Sequence, residues 1–329
     1  MRFTTWGGGA AMLLFVAAGC GDGPIGPDET DAPVLRTVVF HRQDTGENVL
    51  LNSDGTDAGA LDLPGGAAMP IAVSAIGYMM AVTQGDVIGL VRLDQPDRVD
   101  TIIQPRPGIR FLGSFSNDAQ FLAIVTFSPS VAVLVYDRAN RTVDTLPYGP
   151  GGDASGSIVP VLPPVFSPDD RRIVMIGASV LSLFSTVFYL DDPSRQDTHT
   201  FGFSRFLTIP VFGWPRWTDE GLLMAFLREG NAQPDTMLSV LVDPDNPVDA
   251  IERFRAVLSP VSDERPELIF GDFSTYAYAD DGEALALGAN PGTGASSRHA
   301  LYLVSRGVDR VQLLLDDPAQ RPVFPNFIN

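Results

Sequence analysis

The stretch Phe166–Gly177, FSPDDRRIVMIG, sets Asp169 beside Asp170, directly after a serine and before two arginines and an apolar run. Paired carboxylates serve general acid–base chemistry, and an Asp-rich corner between two strands has the same composition. Recurrence decides between the two. FSNDAQFLAIV begins at Phe115, WTDEGLLMAFL at Trp217 and YADDGEALALG at Tyr278, with a weaker copy, VSAIGYMMAV, at Val73. Each strong copy runs from an aromatic through a small or hydroxyl residue and an acidic turn into an apolar run. The second residues, Ser74, Ser116, Ser167, Thr218 and Ala279, are spaced 42, 51, 51 and 61 apart. A catalytic pair need not repeat, whereas a structural corner must. Acid catalysis would also need one carboxylate held protonated by burial, and Arg171 and Arg172 favour the charged form. Phe166 is therefore expected to plug between units, Pro168 to fix the bend, and Ser167 and Asp169 to cap backbone N–H groups.

A second series lies between these copies: RLDQPDRVD at Arg92, YDRANRTVD at Tyr136, LDDPSRQD at Leu190 and VDPDNPVD at Val242. Each follows a β-rich run and holds Pro, Asn or Asp where a hairpin must reverse. Two interleaved series with one period describe one repeated unit of four strands, A to D, with the acidic corner between A and B. Four strands every 40 to 50 residues or so is the mark of a β-propeller. The B runs are apolar at nearly every position, which suits a sheet covered on both faces. Complete units fall at 69–105, 106–148, 159–203, 209–258 and 267–316. The front of the domain supplies B near Val38, C near Val49 and a short D near Leu61, while RPVFPNFIN at Arg321 resembles an A strand with nothing after it. Joining the two makes a sixth blade closed by the termini. The expected fold is all-β, a six-bladed propeller over 34–329.

FSPDD followed by a strand, and NVLLNSDGTD at Asn48, resemble the repeats of TolB-type, WD40-like propellers, which read aromatic-Ser-Pro-Asp-Gly, strand, Asp-Gly turn. The resemblance covers most of 34–329 and implies fold, not activity. TolB-type proteins carry a separate N-terminal domain; a lipobox-like segment is expected in its place here, so their partnership is not carried over.

At the N-terminus, Met1-Arg2 precedes an uncharged segment ending in small residues and the only cysteine, Cys20. Its apolar part, Trp6 to Ala18, is roughly 20 Å long as a helix, against a hydrocarbon core of about 30 Å, so it fits a secretory signal better than a span. Ala17-Ala18-Gly19-Cys20 resembles the lipobox of bacterial lipoproteins, although leucine is commonest where Ala17 stands; the resemblance implies a diacylated Cys20 as the mature N-terminus. Residues 1–19 are then a signal peptide, and 20–33, rich in Gly, Pro and acids, a flexible tether. The expected location is the bacterial cell envelope, lipid-anchored at the outer membrane or the periplasmic face.

The chain carries a net charge of -18 and no lysine, so all 22 basic residues are arginine. Such a surface repels phosphate backbones and excludes nucleic acid as an expected partner. The expected partners are the membrane, through Cys20, and an envelope protein or glycan; the protein is expected to be a monomer without cofactor or metal. His41, His199 and His299 are read as isolated surface or interblade residues, and Asp243, Asp245, Asp249 and Glu252 as a solvated hairpin lacking the glycine and terminal glutamate of an EF-hand. No serine-hydrolase or zinc-protease motif is present, and no copy carries the Ser-x-Asp-x-Gly box of sialidase-like propellers.

A binding site would sit in the central channel or on its rim, where the A strands and the loops leaving them converge. The candidates there are Arg110, Trp214, Arg216, Glu267, Asp272 and Tyr276. Two function classes stay open at this point. One is a binding or scaffolding module for a protein, peptide or glycan; the other is a propeller lyase or hydrolase acting on a sugar or lactone, which needs carboxylates converging within about 5–10 Å at the channel mouth.

Overall fold

The computed structural model describes residues 35–42, 45–61, 69–74, 76–82, 88–103, 109–126, 130–148, 159–178, 182–201, 209–210, 212–228, 236–257, 275–279, 281–289, 300–306, 312–316 and 322–328. Residues 1–34, which include the expected signal peptide 1–19, Cys20 and the expected tether 20–33, lie outside them. Everything described belongs to the compact unit Leu35–Asn329.

Among the described residues the strands form six sheets, each a meander in which sequence neighbours pair antiparallel. Sheet 1 joins the two ends of the chain: Pro322–Ile328 pairs with Thr37–Arg42, followed outward by Asn48–Asn52 and Asp57–Ala60. Sheet 2 runs Met69–Val73, Tyr78–Val82, Ile88–Arg92, Gln95–Ile103, and sheet 3 runs Ile109–Phe115, Phe121–Thr126, Ala132–Asp137, Thr142–Pro147. In sheet 4 the pieces Val159–Pro160 and Val165–Phe166 precede Arg172–Ala178, Leu183–Tyr189 and Gln196–Thr200. In sheet 5 the pieces Ile209–Pro210 and Arg216–Thr218 precede Gly221–Arg228, Thr236–Val242 and Ala250–Val257. Sheet 6 is Thr275–Tyr278, Ala284–Ala289, Ala300–Ser305 and Gln312–Asp316.

The first strands face one another. Met69–Val73 lies against Ile109–Phe115, which touches Val165–Phe166, which touches Arg216–Thr218; Thr275–Tyr278 packs on Pro322–Ile328, and that strand on Met69–Val73. The result is an all-β propeller whose innermost strands surround a central channel.

The sheets hold together because their second strands are apolar on both faces. Ile173 and Met175 pack into a cluster with Val125, Val133 and Phe166, between sheets 3 and 4. Their neighbours Val174 and Ile176 join Leu222, Met224 and Trp217, between sheets 4 and 5. The period-2 pleat thus sends alternate residues of one uninterrupted apolar run into two different cores. Each such side chain contributes roughly 1.5–3 kcal/mol as an upper estimate.

The acidic corner is the joint between the first and second strands. Ser167 Oγ accepts the N–H of Arg172 at 2.9 Å and donates to Asp169 at 2.6 Å, which also accepts from the N–H of Arg171 at 3.3 Å. Ser116, Asp118 and Phe121 reproduce that arrangement in sheet 3, at 2.9 Å for the N–H of Phe121 and 2.7 Å for Ser116 to Asp118. Three residues after the hydroxyl position the chain turns to positive φ in every copy: Gly77 at 80°, Ala119 at 51°, Asp170 at 54°, Gly221 at 140° and Gly282 at 71°. Glycine supplies this freely, while Ala119 and Asp170 are held there by the surrounding bonds.

Two innermost strands depart from the expected unbroken ladder. In sheet 4 the ladder is interrupted between Pro160 and Val165: Val161 and Leu162 both donate to Ile176 O, at 2.9 and 3.4 Å, and Pro163 and Pro164 offer no N–H. In sheet 5, Phe212–Trp214 crosses over and pairs in parallel with Thr275–Ala277 of sheet 6. Gly213 permits the crossing: a Cβ there would run into the ring and carbonyl of Tyr276.

Candidate functional site

The innermost strands end in a cavity of about 70 Å³ at the side of the acidic corners. Five sheets contribute to its wall, through Ala72 and Val73, Ser114 and Phe115, Val165 and Phe166, Trp214 to Arg216, and Ala277 with Tyr278. Asn117, the first residue of the sheet 3 corner after Ser116, completes the rim. One water takes about 30 Å³ of liquid, so the space suits a group the size of a short side chain, well below the roughly 300 Å³ where small-molecule sites begin.

The wall is tied together across the channel. The indole N–H of Trp214 donates to the carbonyl of Gly113 at 3.0 Å, linking the sheet 5–6 crossover to sheet 3 over the intervening sheet 4. Ser114 Oγ donates to the carbonyl of Pro164, in the proline-rich gap of sheet 4. Arg216 Nη2 donates to Asn117 Oδ1 at 3.2 Å. Asn117 in turn donates from Nδ2 to Ser167 O at 3.0 Å, Pro168 O at 3.2 Å and Asp170 Oδ1 at 2.9 Å, while its backbone N–H reaches the same carboxylate at 2.8 Å. Asp170 also accepts from the N–H of Asp118 at 3.3 Å.

The two aspartates of the corner therefore differ. Asp169 is exposed, and its Ser167 hydrogen bond, aided by Arg172, holds its carboxyl below the usual value. Burial pushes Asp170 the other way, only partly offset by its bonds from Asn117 and Asp118. Asp169 stays beside the arginines, while the Asp170 side chain accepts from Asn117 and Asp118 in the seam between sheets 3 and 4, where burial rather than Arg171 or Arg172 sets the direction of its shift.

Of the six sequence candidates, the structure brings Trp214 and Arg216 together in the cavity wall. Trp214 is buried and Arg216 half-buried. Tyr276 is wholly buried between sheets 5 and 6, edge-on to Tyr278 with ring centroids 5.7 Å apart; its hydroxyl meets the N–H of Ala225 at 3.4 Å, and burial raises its pKa strongly. It belongs to the core rather than the cavity lining. The side chain of Arg110 and the whole of Glu267 and Asp272 lie outside the described residues. Asn117 is the residue that sequence analysis passed over as a site candidate. The only signal was that this copy alone carries an amide where the others have Ala75, Pro168, Asp219 and Asp280.

Among the described lining residues there is one cation and no carboxylate. His41 is buried against Asn48 Oδ1 at 3.0 Å in sheet 1, His199 is half-buried on the outer strand of sheet 4, and His299 is outside the described residues.

These features define the class: a β-propeller with a small polar-centred mouth at one end of its channel. No protein-family model matches the chain, and no curated protein matches it in sequence. Solved structures do match in fold. TolB from Acinetobacter baumannii is 12% identical with a TM-score of 0.59, over 89% of this chain and 66% of that one. A chain of the nidogen/laminin complex is 11% identical with a TM-score of 0.57, over 89% and 98%. Putative TolB from Agrobacterium tumefaciens is 10% identical with a TM-score of 0.51, over 90% and 99%. The fold is that of the TolB-like β-propellers, and at these identities the likeness is one of fold alone.

Proposed function

We propose that this chain is an exported bacterial protein, anchored through acylated Cys20, whose propeller acts as a binding or scaffolding module of the cell envelope for a protein, peptide or glycan. The observation that carries the binding role is the mouth itself. Five sheets converge on one cavity, and cross-channel bonds from Trp214, Ser114 and Arg216 preorganise its wall. A rigid rim fed by loops is how a propeller presents a recognition surface. The small cavity and its carboxylate-free described lining favour recognition over the two-carboxylate chemistry that hydrolysis of a glycosidic bond requires.

In this account each sheet is one blade, so the ring has six, and the sheet 1 pairing of Pro322–Ile328 with Thr37–Arg42 is its closure. Support comes from the order of packing of the innermost strands, which returns from sheet 6 through sheet 1 to sheet 2. The N-terminal part rests on the signal-like segment and the Cys20 motif. Mass spectrometry of the mature N-terminus tests it: a diacylated Cys20, and release from membranes in Cys20→Ala, are expected. A wild-type protein without acyl mass, or a Cys20→Ala protein that still fractionates with membranes, would overturn the anchor.

A further inference from the structure

We infer that the mouth faces the membrane that holds the acylated Cys20, and that its partner is a protein held in that same membrane. The inference rests on the anchor and on the mouth as the recognition site, and adds the kind of partner. What carries it is the point at which the chain enters the propeller. Thr37, the first residue of its strand, pairs with Ile328, so it lies at the end of sheet 1 where the first strands of the other sheets run into their corners. Arg36 is fixed there from two sides. Its N–H donates to Ser53 Oγ at 3.0 Å, and its guanidinium pairs at 2.5 Å with Asp281, in the sheet 6 corner. Leu35 beside it is exposed. The chain therefore enters on the face that holds the mouth.

Cys20 stands fifteen residues before Leu35, and fifteen residues reach at most about 50 Å whatever their conformation. An unstructured chain of that length spans about 20 Å. A propeller turned over would have to lead it round the outside of sheet 1. That detour passes two further strands at about 4.8 Å each and runs the roughly 20 Å length of Thr37–Arg42, about 30 Å before any side chain is cleared. It exceeds what the chain spans at ease, so the mouth side is the side turned to the bilayer. That face is not built to lie on lipid. The corners of sheets 3 to 6, at 116–119, 167–170, 218–221 and 279–282, carry one or two acids each and no base. Anionic headgroups repel such a rim, which leaves the gap beneath the mouth to a protein rising from the bilayer. Two proteins confined to one membrane also meet at a raised effective concentration, which suits a mouth whose cavity is small.

Energy transfer to a rhodamine-labelled lipid tests the orientation, with the acylated full chain in vesicles of phosphatidylethanolamine and phosphatidylglycerol. Cys20 is the only cysteine, so once it is acylated an introduced cysteine is the single free thiol. Asp219→Cys puts the donor dye on the sheet 5 corner, and Thr45→Cys puts it at the opposite end, in the turn between Thr37–Arg42 and Asn48–Asn52; both positions are exposed. Transfer from Asp219→Cys is expected to be several-fold stronger than from Thr45→Cys. Equal transfer, or more from Thr45→Cys, overturns the orientation, whereas a chain that does not bind the vesicles defeats the anchor on which it rests. For the partner, the protein crosslinked at the mouth is identified and then followed in cells lacking this chain, where it is expected to stay with membranes washed in alkaline carbonate. A partner released by that wash, or a glycan, defeats the membrane-held class and leaves the mouth as the recognition site; no capture at the mouth defeats that site.

Discussion

Ser167 and Ala279 occupy the same position in two copies of one corner, one with a hydroxyl and one without. Ser167 is fully buried, accepts the N–H of Arg172 at 2.9 Å and donates to Asp169 at 2.6 Å. Ser167→Ala leaves that N–H without its acceptor inside the joint between strands, a loss of about 1–3 kcal/mol. For a domain of this size 1 kcal/mol moves the melting temperature by about 2 °C or slightly more, so a fall of about 2–6 °C is expected by calorimetry. The converse change makes the test specific. At Ala279 the corner already has the matching backbone bonds, Ala279 N–H to Ala284 O at 2.9 Å and Gly282 N–H to Ala279 O at 2.9 Å, and Asp281 already accepts from the N–H of Glu283 at 2.9 Å. Ala279→Ser should complete it by taking the N–H of Ala284 and donating to Asp281, a gain of about 0.5–1.5 kcal/mol and a rise of about 1–3 °C. A Ser167→Ala protein melting within half a degree of wild type, or an Ala279→Ser protein as destabilised as Ser167→Ala is expected to be, would refute the view that these corners are equivalent structural units.

Three further outcomes follow from the fold. Gly213→Ala drives a methyl into Tyr276 and should cost about 1–3 kcal/mol, read as a lowered urea midpoint at unchanged slope. Asp170 has its folded pKa raised by burial, so its contribution to stability is intact below the unfolded value of 3.8 and declines as pH rises through the folded pKa; the midpoint of wild type relative to Asp170→Asn should therefore improve on acidification from pH 7 to pH 3.5, and a constant difference would contradict the burial of this carboxylate. Deleting Pro322–Asn329 removes the whole partner strand of Thr37–Arg42 and a neighbour of both Thr275–Tyr278 and Met69–Val73, and should abolish the cooperative thermal transition; an unchanged melting curve would refute closure through the chain ends.

The repeat was legible because its physics is local. A hydroxyl followed two residues later by an acid caps a corner wherever it falls, so Ser116–Asp118 and Ser167–Asp169 could be matched without knowing their neighbours, as could the apolar run from Ile173. The interruptions were less legible, since Phe212–Trp214 leaves its own sheet only because Gly213 lets the backbone approach Tyr276, a contact about sixty residues distant. The same limit applied at the mouth. Trp214 and Arg216 could be placed near the channel from their position before a corner, but Tyr276, with the same local pattern, turned into the core. Asp170 resembled Asp169 in sequence and differs from it through Asn117, a partner from another sheet. Local composition gives the corner's shape; which of its side chains faces a neighbour depends on the packing of one sheet against the next.

On the proposed reading, the mouth at the corner side of the channel is where the protein meets its partner. A photoreactive residue placed at exposed Asp219, three residues after Arg216 in the sheet 5 corner, and one placed at exposed Val143, on the outer strand of sheet 3, would test it in intact cells. One defined crosslinked species is expected from Asp219 that is lost in Arg216→Gln, and none from Val143. Crosslinking that is equal at both positions, or that persists undiminished in a folded Arg216→Gln protein, would contradict it.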